Sequence, residues 1–479
     1  MRSLRCAIVA VAMCASSAAH AHRAALEPCR LQGLEREARC GRVEVAEDPD
    51  APAGRRIAIH FAVVPALARD KLPDPVFVLA GGPGQAATRV AAQVQPVFAS
   101  LNARRDIVYV DQRGTGKSNA LACPTPDRTP SLAETIDRLR AAERLSECLR
   151  AIDADPRQYA TWIAMRDVDA VRAALGVERI NLWGASYGTR AALEYLRQFP
   201  QRVRAVVLDG VAPPDMALPA SFAIDSEAAL SRLLAGCARD ADCRARYPGI
   251  DASVDALLAN AARGLRVTVA HPLTGRAETL RLDRAALAGL LRAPLYAPPL
   301  AAVLPHALAE AAGGEFAPLV ALSTALTARV AESFAEGMHF AVICAEDLPR
   351  VDAAALAAAR ATRFGTIFID VYRDACRDIP VRAVPHAFYE IPPADAPVLI
   401  LSGGADPATP PRHGEAVARR LKRALHLVAP NLGHGISAQG CAPELIARFV
   451  RQAGFDGIDG GCLQRIPAPV VFRPPGDVR

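Results

Sequence analysis

The sequence feature that most restricts the fold is a serine placed between a short apolar run and a helical segment. Residues 180–183 have the composition of a buried strand, and residues 189–198 have helical periodicity. The motif Gly184-x-Ser186-x-Gly188 lies between them. A sharp turn from strand to helix pushes the serine side chain outward, and the flanking glycines avoid collisions there. This context predicts a nucleophilic role for Ser186, and a serine that only caps the helix is the alternative.

Strand and helix patterns alternate on both sides of this motif. Further strand patterns occur at residues 41–46, 56–64, 75–80, 106–110, 203–208, 397–401 and 425–428. Further helical patterns occur at residues 166–175, 411–422 and 442–452. Strands that alternate with helices predict a mainly parallel central sheet with helices on both faces.

The pattern changes in the middle of the chain. After Pro213 the sequence becomes rich in Ala and Leu with helical periodicity, and one hairpin pattern lies at 266–282. We therefore expect a mainly helical insertion. The expected organisation is a leader at 1–21, an α/β core at 22–212, a helical cap at 213–390 and the second part of the core at 391–479.

The N-terminus has the pattern of a secretory signal peptide. Arg2 and Arg5 carry positive charge, residues 7–15 are apolar, and Ala19-His20-Ala21 fits the small-x-small cleavage rule. The apolar run is shorter than the roughly 20 residues of a transmembrane anchor. We expect a periplasmic or secreted protein with no membrane anchor after cleavage. The net charge of +6 is scattered, so nucleic acid is not an expected partner, and oligomeric state is left open.

The cysteines favour disulfides. Two of the twelve, Cys6 and Cys14, lie in the predicted signal peptide, and an even number then remains in an exported chain. Zinc is the poorer alternative because no Cys-x-x-Cys pair occurs. Connectivity cannot be deduced from the sequence, and pairing of neighbours is the expectation because it closes five short loops. This pairing joins Cys29 to Cys40, Cys123 to Cys148, Cys237 to Cys243, Cys344 to Cys376 and Cys441 to Cys462.

A nucleophilic serine needs a base, and the base needs an orienting acid. His434 lies in a glycine-flanked loop just after the strand pattern at 425–428, which makes it the predicted base. Asp406 follows the strand pattern at 397–401 and is the predicted acid. The chain order Ser, Asp, His agrees with this assignment. Asp209, at the end of the strand pattern at 203–208, is the rival acid.

Attack on a carbonyl places negative charge on its oxygen, which preset N–H donors stabilise. Tyr187, the residue after the nucleophile, is one predicted donor. Gly82 in the turn Gly81-Gly82-Pro83-Gly84 is the other, with Gly81 as the alternative, because Pro83 has no N–H. The sequence contains no metal-ligand cluster, and the predicted chemistry needs no cofactor.

These motifs, in this order, resemble the α/β-hydrolases of the proline iminopeptidase and tripeptidyl aminopeptidase group. The resemblance rests on the turn at 81–84, on Asp111-Gln112-Arg113-Gly114-Thr115-Gly116-Lys117-Ser118 and on Gly184-Ala185-Ser186-Tyr187-Gly188-Thr189-Arg190. Residues 397–435 are similar to the C-terminal hydrolase region of the tripeptidyl aminopeptidases. The resemblance implies an α/β-hydrolase fold with an inserted helical cap. This sequence departs from the family pattern at Ala80, where His is frequent, and at Ala185, where Glu is frequent.

The resemblance also implies an activity. It indicates a serine aminopeptidase that releases residues or short peptides from peptide N-termini through an acyl-enzyme, with Ser186, Asp406 and His434 on the triad positions. Relatives hold the substrate amine with carboxylates of the cap. Glu346 and Asp347 are the candidates here, and a solvated acidic turn is the alternative.

Two other functions remain open at this point. A carboxylesterase or lipase-type hydrolase would use the same triad, so triad residues alone do not separate it from a peptidase. A non-catalytic binding protein on a hydrolase fold is the third hypothesis. The expected partner is therefore a peptide or a small ester substrate.

Overall fold

The structure, a computed structural model, describes residues 24–123, 129–136, 142–331, 334–391 and 393–474, and no side chains are described for 142–144 and 326–331. The predicted signal peptide lies outside the described residues. Nine of the described strands form one sheet in the order β1-β2-β3-β5-β4-β6-β7-β10-β11. Its strands are β1 (Glu27–Cys29), β2 (Ala38–Ala46), β3 (Arg56–Val64), β4 (Val76–Leu79), β5 (Ile107–Val110), β6 (Ile180–Ala185), β7 (Val203–Asp209), β10 (Val398–Gly403) and β11 (Ala424–Ala429).

The sheet is antiparallel at one end and parallel through the rest. β1, β2 and β3 are antiparallel to their neighbours, and β3 is antiparallel to β5. From β5 to β11, all neighbouring strands are parallel. The fold is therefore the predicted α/β-hydrolase architecture with a mainly parallel central sheet. Only β1 has no counterpart among the predicted strands.

Adjacent residues of each strand point to opposite faces of the sheet. Both faces are apolar here, and helices cover both of them. Val76 and Val78 of β4 lie in one apolar core, whereas Phe77 and Leu79 lie in the other. The helices of the α/β part are α1 (Ala87–Val94), α2 (Leu132–Ile136), α3 (Ala142–Ala151), α4 (Thr161–Ala174), α5 (Tyr187–Gln198), α16 (Pro411–Ala418), α17 (Ala442–Gln452) and α18 (Gly461–Gln464). α1 and α17 pack on the first face, and α4, α5 and α16 pack on the second.

The inserted segment, residues 210–397, joins β7 to β10 and is mainly helical. Its helices are α6 (Leu218–Arg239), α7 (Ala241–Arg246), α8 (Ile250–Ala262), α9 (Arg284–Arg292), α10 (Pro298–Ala301), α11 (Leu304–Ala312), α12 (Ala317–Ala331), α13 (Glu336–Val342), α14 (Ala353–Arg360) and α15 (Ile367–Cys376). Its hairpin consists of β8 (Leu265–Ala270) and β9 (Ala277–Leu282). Buried residues such as Leu230, Leu287 and Leu304 give this segment an apolar core of its own.

Five disulfides are present. They join Cys29 to Cys40, Cys123 to Cys148, Cys237 to Cys243, Cys344 to Cys376 and Cys441 to Cys462. Each bridge joins two cysteines that are neighbours in the sequence order, as the expectation of short loops requires. A search of the described residues finds no helix whose length and apolar character would let it cross a bilayer.

The parallel strands bring several loops to one edge of the sheet. Ala185 at the end of β6 pairs with Asp209 at the end of β7, and Leu401 of β10 pairs with the same Asp209. Gly403 of β10 pairs with Ala429 at the end of β11. The carboxyl ends of these four strands therefore lie side by side, which is where open α/β sheets bind their ligands.

Candidate active site

Ser186 occupies a strained turn between β6 and α5. Its backbone φ of 56° and ψ of −125° lie where few residues other than glycine are found. The flanking glycines permit the turn. A Cβ on Gly184 would lie 2.2 Å from the carbonyl oxygen of Gly188, and a Cβ on Gly188 would lie 2.1 Å from that of Leu79. Side chains at either position would therefore force the turn apart, which explains the spacing of the motif.

His434 and Asp406 form a hydrogen-bonded pair at the same edge of the sheet. The His434 Nδ1 and the Asp406 Oδ2 are 2.8 Å apart, and Asp406 is buried. The N–H groups of Ala408 and Thr409 donate to the other Asp406 oxygen at 2.8 and 2.9 Å. The hydroxyl of Thr409 donates to Oδ2 at 2.8 Å. These bonds fix the carboxylate, which in turn holds the imidazole with Nδ1 protonated and Nε2 available as an acceptor.

Within this pair, the opposite charges stabilise an ionised Asp406 carboxylate and a protonated His434 ring. Burial alone would raise the pKa of Asp406, but the charge and hydrogen bond of His434 outweigh it and hold the pKa below its ordinary value. Burial lowers the pKa of His434, but the Asp406 carboxylate outweighs this effect, and the net pKa lies above its ordinary value. A raised imidazole pKa makes His434 a stronger base toward a serine proton.

The pH dependence of hydrolysis tests this electrostatic assignment. His434 can accept a proton only when neutral, and its pKa is raised. We expect kcat/KM to fall as the pH falls, with a midpoint above the ordinary histidine value of about 6.5. The profile should be measured with a 4-nitrophenyl ester, which has no amine to titrate. An acid limb centred at or below that value would contradict the assignment.

Ser186 lies close to the turn at 81–84, which contains the predicted oxyanion donor Gly82. A Cβ on Gly81 would be 3.2 Å from the Ser186 Cβ. Within the described residues, the Ser186 hydroxyl makes no hydrogen bond with the His434 ring. Such bonds are often long in free enzymes and tighten when substrate binds.

Asp209, the rival acid, has a different position. Its two carboxylate oxygens accept the N–H groups of Ile436 and Ser437 at 2.9 and 2.8 Å. Burial raises the pKa of Asp209, although these hydrogen bonds and the His434 charge oppose the rise. The structure therefore places Asp406 against the imidazole and Asp209 under the loop that follows it.

The inserted segment fixes the turn at 81–84 from above. The N–H of Ala335 donates to the Gly84 carbonyl at 2.9 Å. His339 Nδ1–H donates to the Pro83 carbonyl at 3.0 Å, and the Tyr372 hydroxyl donates to His339 Nε2 at 2.7 Å. Burial lowers the pKa of His339 to about 4, so the ring is neutral and holds this tautomer. The role of His339 could not be predicted from the sequence, because the contact spans 256 residues and no local pattern marks it.

Glu346 and Asp347, the predicted amine-binding residues, lie in a buried ion cluster with Arg190. The guanidinium of Arg190 donates to both oxygens of Asp347 at 2.8 and 2.9 Å. Glu346 accepts the N–H of Thr161 at 2.6 Å and its hydroxyl at 2.9 Å. The side chains of the ion cluster have 0% exposure. They are not the solvated turn of the alternative, and a substrate amine would have to displace one of their present partners.

The two carboxylates of the ion cluster should differ in their effect on stability. Burial raises the pKa of Glu346 to about 7, against the opposing charge of Arg190. At pH 6, Glu346 is therefore mostly protonated, and Glu346→Gln should lower the free energy of unfolding by less than about 1 kcal/mol. Asp347→Asn should lower it by about 3 kcal/mol, because it removes both charged hydrogen bonds of Arg190 and leaves only Glu346, 3.4 Å away, as a counterion.

Urea unfolding at pH 6 measures this difference. Equal losses for the two variants would contradict the assignment of Asp347 as the counterion of Arg190. The same variants test the amine role. If Glu346→Gln is stable but raises KM for free-amine substrates and not for blocked ones, Glu346 binds the substrate amine.

Tyr187 contacts two parts of the site, one through its backbone N–H and one through its side-chain hydroxyl. It is the first residue of α5, directly after Ser186, so its N–H lies at the helix terminus where negative charge is favoured. Its hydroxyl lies 2.7 Å from the Thr161 hydroxyl, next to the ion cluster.

Among the described residues, no group of three or more His, Cys, Asp or Glu side chains is arranged to hold a metal ion.

Comparison with known proteins supports the fold and the chemistry. Residues 74–235 match the family described as alpha/beta hydrolase fold, and residues 361–462 match the family described as TAP-like protein. The serine protease Hip1 of Mycobacterium tuberculosis is 27% identical over 470 residues, with 88% of each chain covered.

Two further relatives differ in their activities. The tripeptidyl aminopeptidase of Streptomyces lividans is 30% identical over 218 residues, which cover 42% of this chain and 41% of the relative. The carboxylesterase B of M. tuberculosis is 29% identical over 416 residues, which cover 81% and 78%. The predicted resemblance is confirmed: the chain is a serine hydrolase with an α/β-hydrolase fold, and it is similar to the tripeptidyl aminopeptidases.

Proposed function

We propose that this protein is an exported serine aminopeptidase that releases residues or short peptides from peptide N-termini. The single observation that carries the chemistry is the His434–Asp406 pair at 2.8 Å, set at the strand edge where Ser186 projects. The named activities of the relatives Hip1 and tripeptidyl aminopeptidase favour a peptide over an ester substrate.

In the proposed mechanism, Ser186 Oγ attacks the scissile carbonyl and His434 Nε2 takes its proton. Asp406 stabilises the imidazolium that forms. The N–H groups of Tyr187 and Gly82 are the proposed donors to the oxyanion, with Gly81 as the alternative. His434 then gives its proton to the leaving amine, and the acyl-enzyme on Ser186 is hydrolysed by water that His434 activates in turn.

Two features of organisation belong to the same proposal. The inserted segment contacts the turn at 81–84 through His339 and Ala335, so residues 213–390 are proposed to act as a cap over the site. Five disulfides are the usual mark of an oxidising compartment, which supports export to the periplasm or the medium.

A carboxylesterase is the second candidate function. Two observations favour it: a relative bears that name, and the carboxylates of Glu346 and Asp347 are already bound to protein groups. An esterase needs no carboxylate for a substrate amine, whereas an aminopeptidase does.

A substrate panel separates the two functions. The oxidised protein should be assayed with tripeptide anilides that carry a free amine, with the same anilides N-acetylated, and with short acyl esters. The proposal predicts that the free-amine anilides have a kcat/KM at least tenfold above their acetylated partners. Cleavage of esters together with equal rates on both forms of the anilides would favour the esterase.

A further inference from the structure

A chain of aromatic contacts runs from the turn at 81–84 across the inserted segment. A Cβ on Gly82 would lie 3.4 Å from the Phe334 ring. The Phe334 and His339 ring centroids are 5.0 Å apart, those of His339 and Tyr372 are 5.7 Å apart, and those of Tyr372 and Phe222 are 6.0 Å apart. This first arc links the proposed oxyanion donor to α6.

A second arc returns from α6 to the base. The guanidinium of Arg292 lies 4.3 Å from the Phe222 ring centroid and 4.9 Å from that of Tyr296. The Tyr296 and His434 ring centroids are 5.2 Å apart, and the His434 N–H donates to the Tyr296 carbonyl at 3.0 Å. The first arc ends at the turn beside Ser186, and the second ends at His434. Phe222, Arg292 and Tyr296 are partly exposed. We call the residues of the two arcs the contact ring.

Arg292 is held rigidly in this contact ring by neutral groups. Its Nε donates to the Ser226 hydroxyl at 3.1 Å, and its Nη2 donates to the Tyr296 hydroxyl. A third ring, that of Phe368, lies 5.7 Å away. The Nη1 group makes no hydrogen bond with any described residue. Neighbours of this kind fix the orientation of a guanidinium but leave its charge in place.

No described carboxylate forms an ion pair with Arg292. Asp225, the residue before Ser226, gives one oxygen to Arg412 at 2.9 Å and the other to His413 at 3.0 Å. Arg292 nevertheless lies near enough to the catalytic groups for its charge to lower the pKa of His434, after the larger effects of burial and Asp406. The contact ring therefore contains a partly exposed, fixed positive charge whose hydrogen-bonding capacity is partly unused.

We propose that Arg292 is an anion subsite that binds a substrate carboxylate close to the scissile bond. A guanidinium recognises a carboxylate through two parallel hydrogen bonds, and such charged bonds strengthen where aromatic rings exclude water. The carboxylate has two possible sources: an acidic side chain on the acyl side, or the free C-terminus of a short leaving peptide. The inference deepens the proposed peptidase function and rests on it for the peptide substrates.

Matched substrate pairs test the subsite. The first pair is free-amine tripeptide anilides ending in glutamate or glutamine. The second is a tetra-alanine peptide with a free C-terminal carboxylate or a C-terminal amide. The third is the 4-nitrophenyl monoester of glutaric acid and 4-nitrophenyl valerate. The third pair needs no peptidase activity, so it separates failure of the subsite from failure of the proposed function.

Each pair should be assayed with the wild type, Arg292→Met and Arg292→Lys, and with Arg360→Met as a control for an exposed arginine of the same segment. We expect the wild type to prefer the acidic member of at least one pair by about 10- to 100-fold in kcat/KM. Arg292→Met should reduce that preference to near one while changing the neutral member far less. Arg292→Lys should keep part of the preference, and Arg360→Met should keep all of it.

The outcomes separate the two claims. An acidic preference in the first pair identifies the side chain as the source of the carboxylate, and one in the second pair identifies the C-terminus. A preference in the ester pair with no cleavage of the peptide pairs supports the subsite and contradicts the peptidase. Cleavage with no acidic preference in any pair, or an equal loss on both members in Arg292→Met, overturns the subsite.

Discussion

Replacing Ser186 with alanine should lower kcat/KM by about 10⁴- to 10⁶-fold on every substrate that the protein cleaves. The strained turn between β6 and α5 presents this side chain at the carboxyl edge of the sheet, next to the His434 loop. Alanine removes the attacking oxygen, so acyl transfer stops while substrate binding remains. Steady-state kinetics with the free-amine tripeptide anilide measure the loss.

A matched control distinguishes this effect from misfolding. Ser231 is an exposed serine on α6, and Ser231→Ala should leave kcat/KM within about twofold of the wild type. Ser186→Ala should also unfold at about the same urea concentration as the wild type, because alanine keeps the Cβ and the same backbone strain and removes only the hydroxyl. Residual activity above about 1% in a stable Ser186→Ala protein would contradict a nucleophilic role.

Replacing Asp406 with asparagine should lower kcat/KM by about 10⁴-fold. Asparagine can donate to His434 Nδ1, which would place the proton on Nε2 and remove its ability to accept one from Ser186. Asp209→Asn is the matched variant, because Asp209 is equally buried and ends a neighbouring strand. Its hydrogen bonds go to the N–H groups of Ile436 and Ser437, so its loss should act on the loop and cost at least 100-fold less in kcat/KM.

The pH profile completes the comparison between these two acids. The acid limb of Asp209→Asn should stay above a midpoint of about 6.5, because Asp406 still raises the pKa of His434. An Asp209→Asn variant as inactive as Asp406→Asn, with its stability unchanged, would show that the acid had been assigned to the wrong strand.

The fold could be predicted largely because its strands are short and apolar. β4 and β5 are buried on both faces, so their sequences form apolar runs bounded by turn residues. β1 could not be predicted, since three residues that include Pro28 give no period. α4 begins at Thr161 rather than at the predicted 166, because residues 161–165 are all buried and therefore show no amphipathic period, and α16 ends at Ala418 rather than at the predicted 422.

The residues of the candidate site that could be predicted are those that follow the end of a strand. Ser186, Asp406 and His434 each follow an apolar strand pattern, so their types and positions carried the signal. Asp209 also ends a strand, and the position of the His434 ring, 2.8 Å from Asp406, distinguishes the two acids. No local pattern indicates that Glu346 lies against a buried arginine, because Arg190 is distant along the chain.

The contacts of Arg292 and His339 could not be predicted from the sequence, for a related reason. Both are single residues on helices of the inserted segment, and each acts through a contact with a distant part of the chain. No spacing rule connects an arginine on α9 with a ring on α6 or an imidazole after β11. Such contacts require the packing of the whole insertion on the sheet.

Labelling with a tripeptidyl diphenyl phosphonate tests both the nucleophilic role of Ser186 and the requirement for a free substrate amine. The reagent forms a stable adduct with an activated serine, and mass spectrometry locates it. We expect one adduct per chain, on Ser186, formed at least tenfold faster by the free-amine reagent than by its N-acetylated form. An adduct on another residue would contradict the proposed nucleophile, and equal labelling rates by the two reagents would contradict an aminopeptidase.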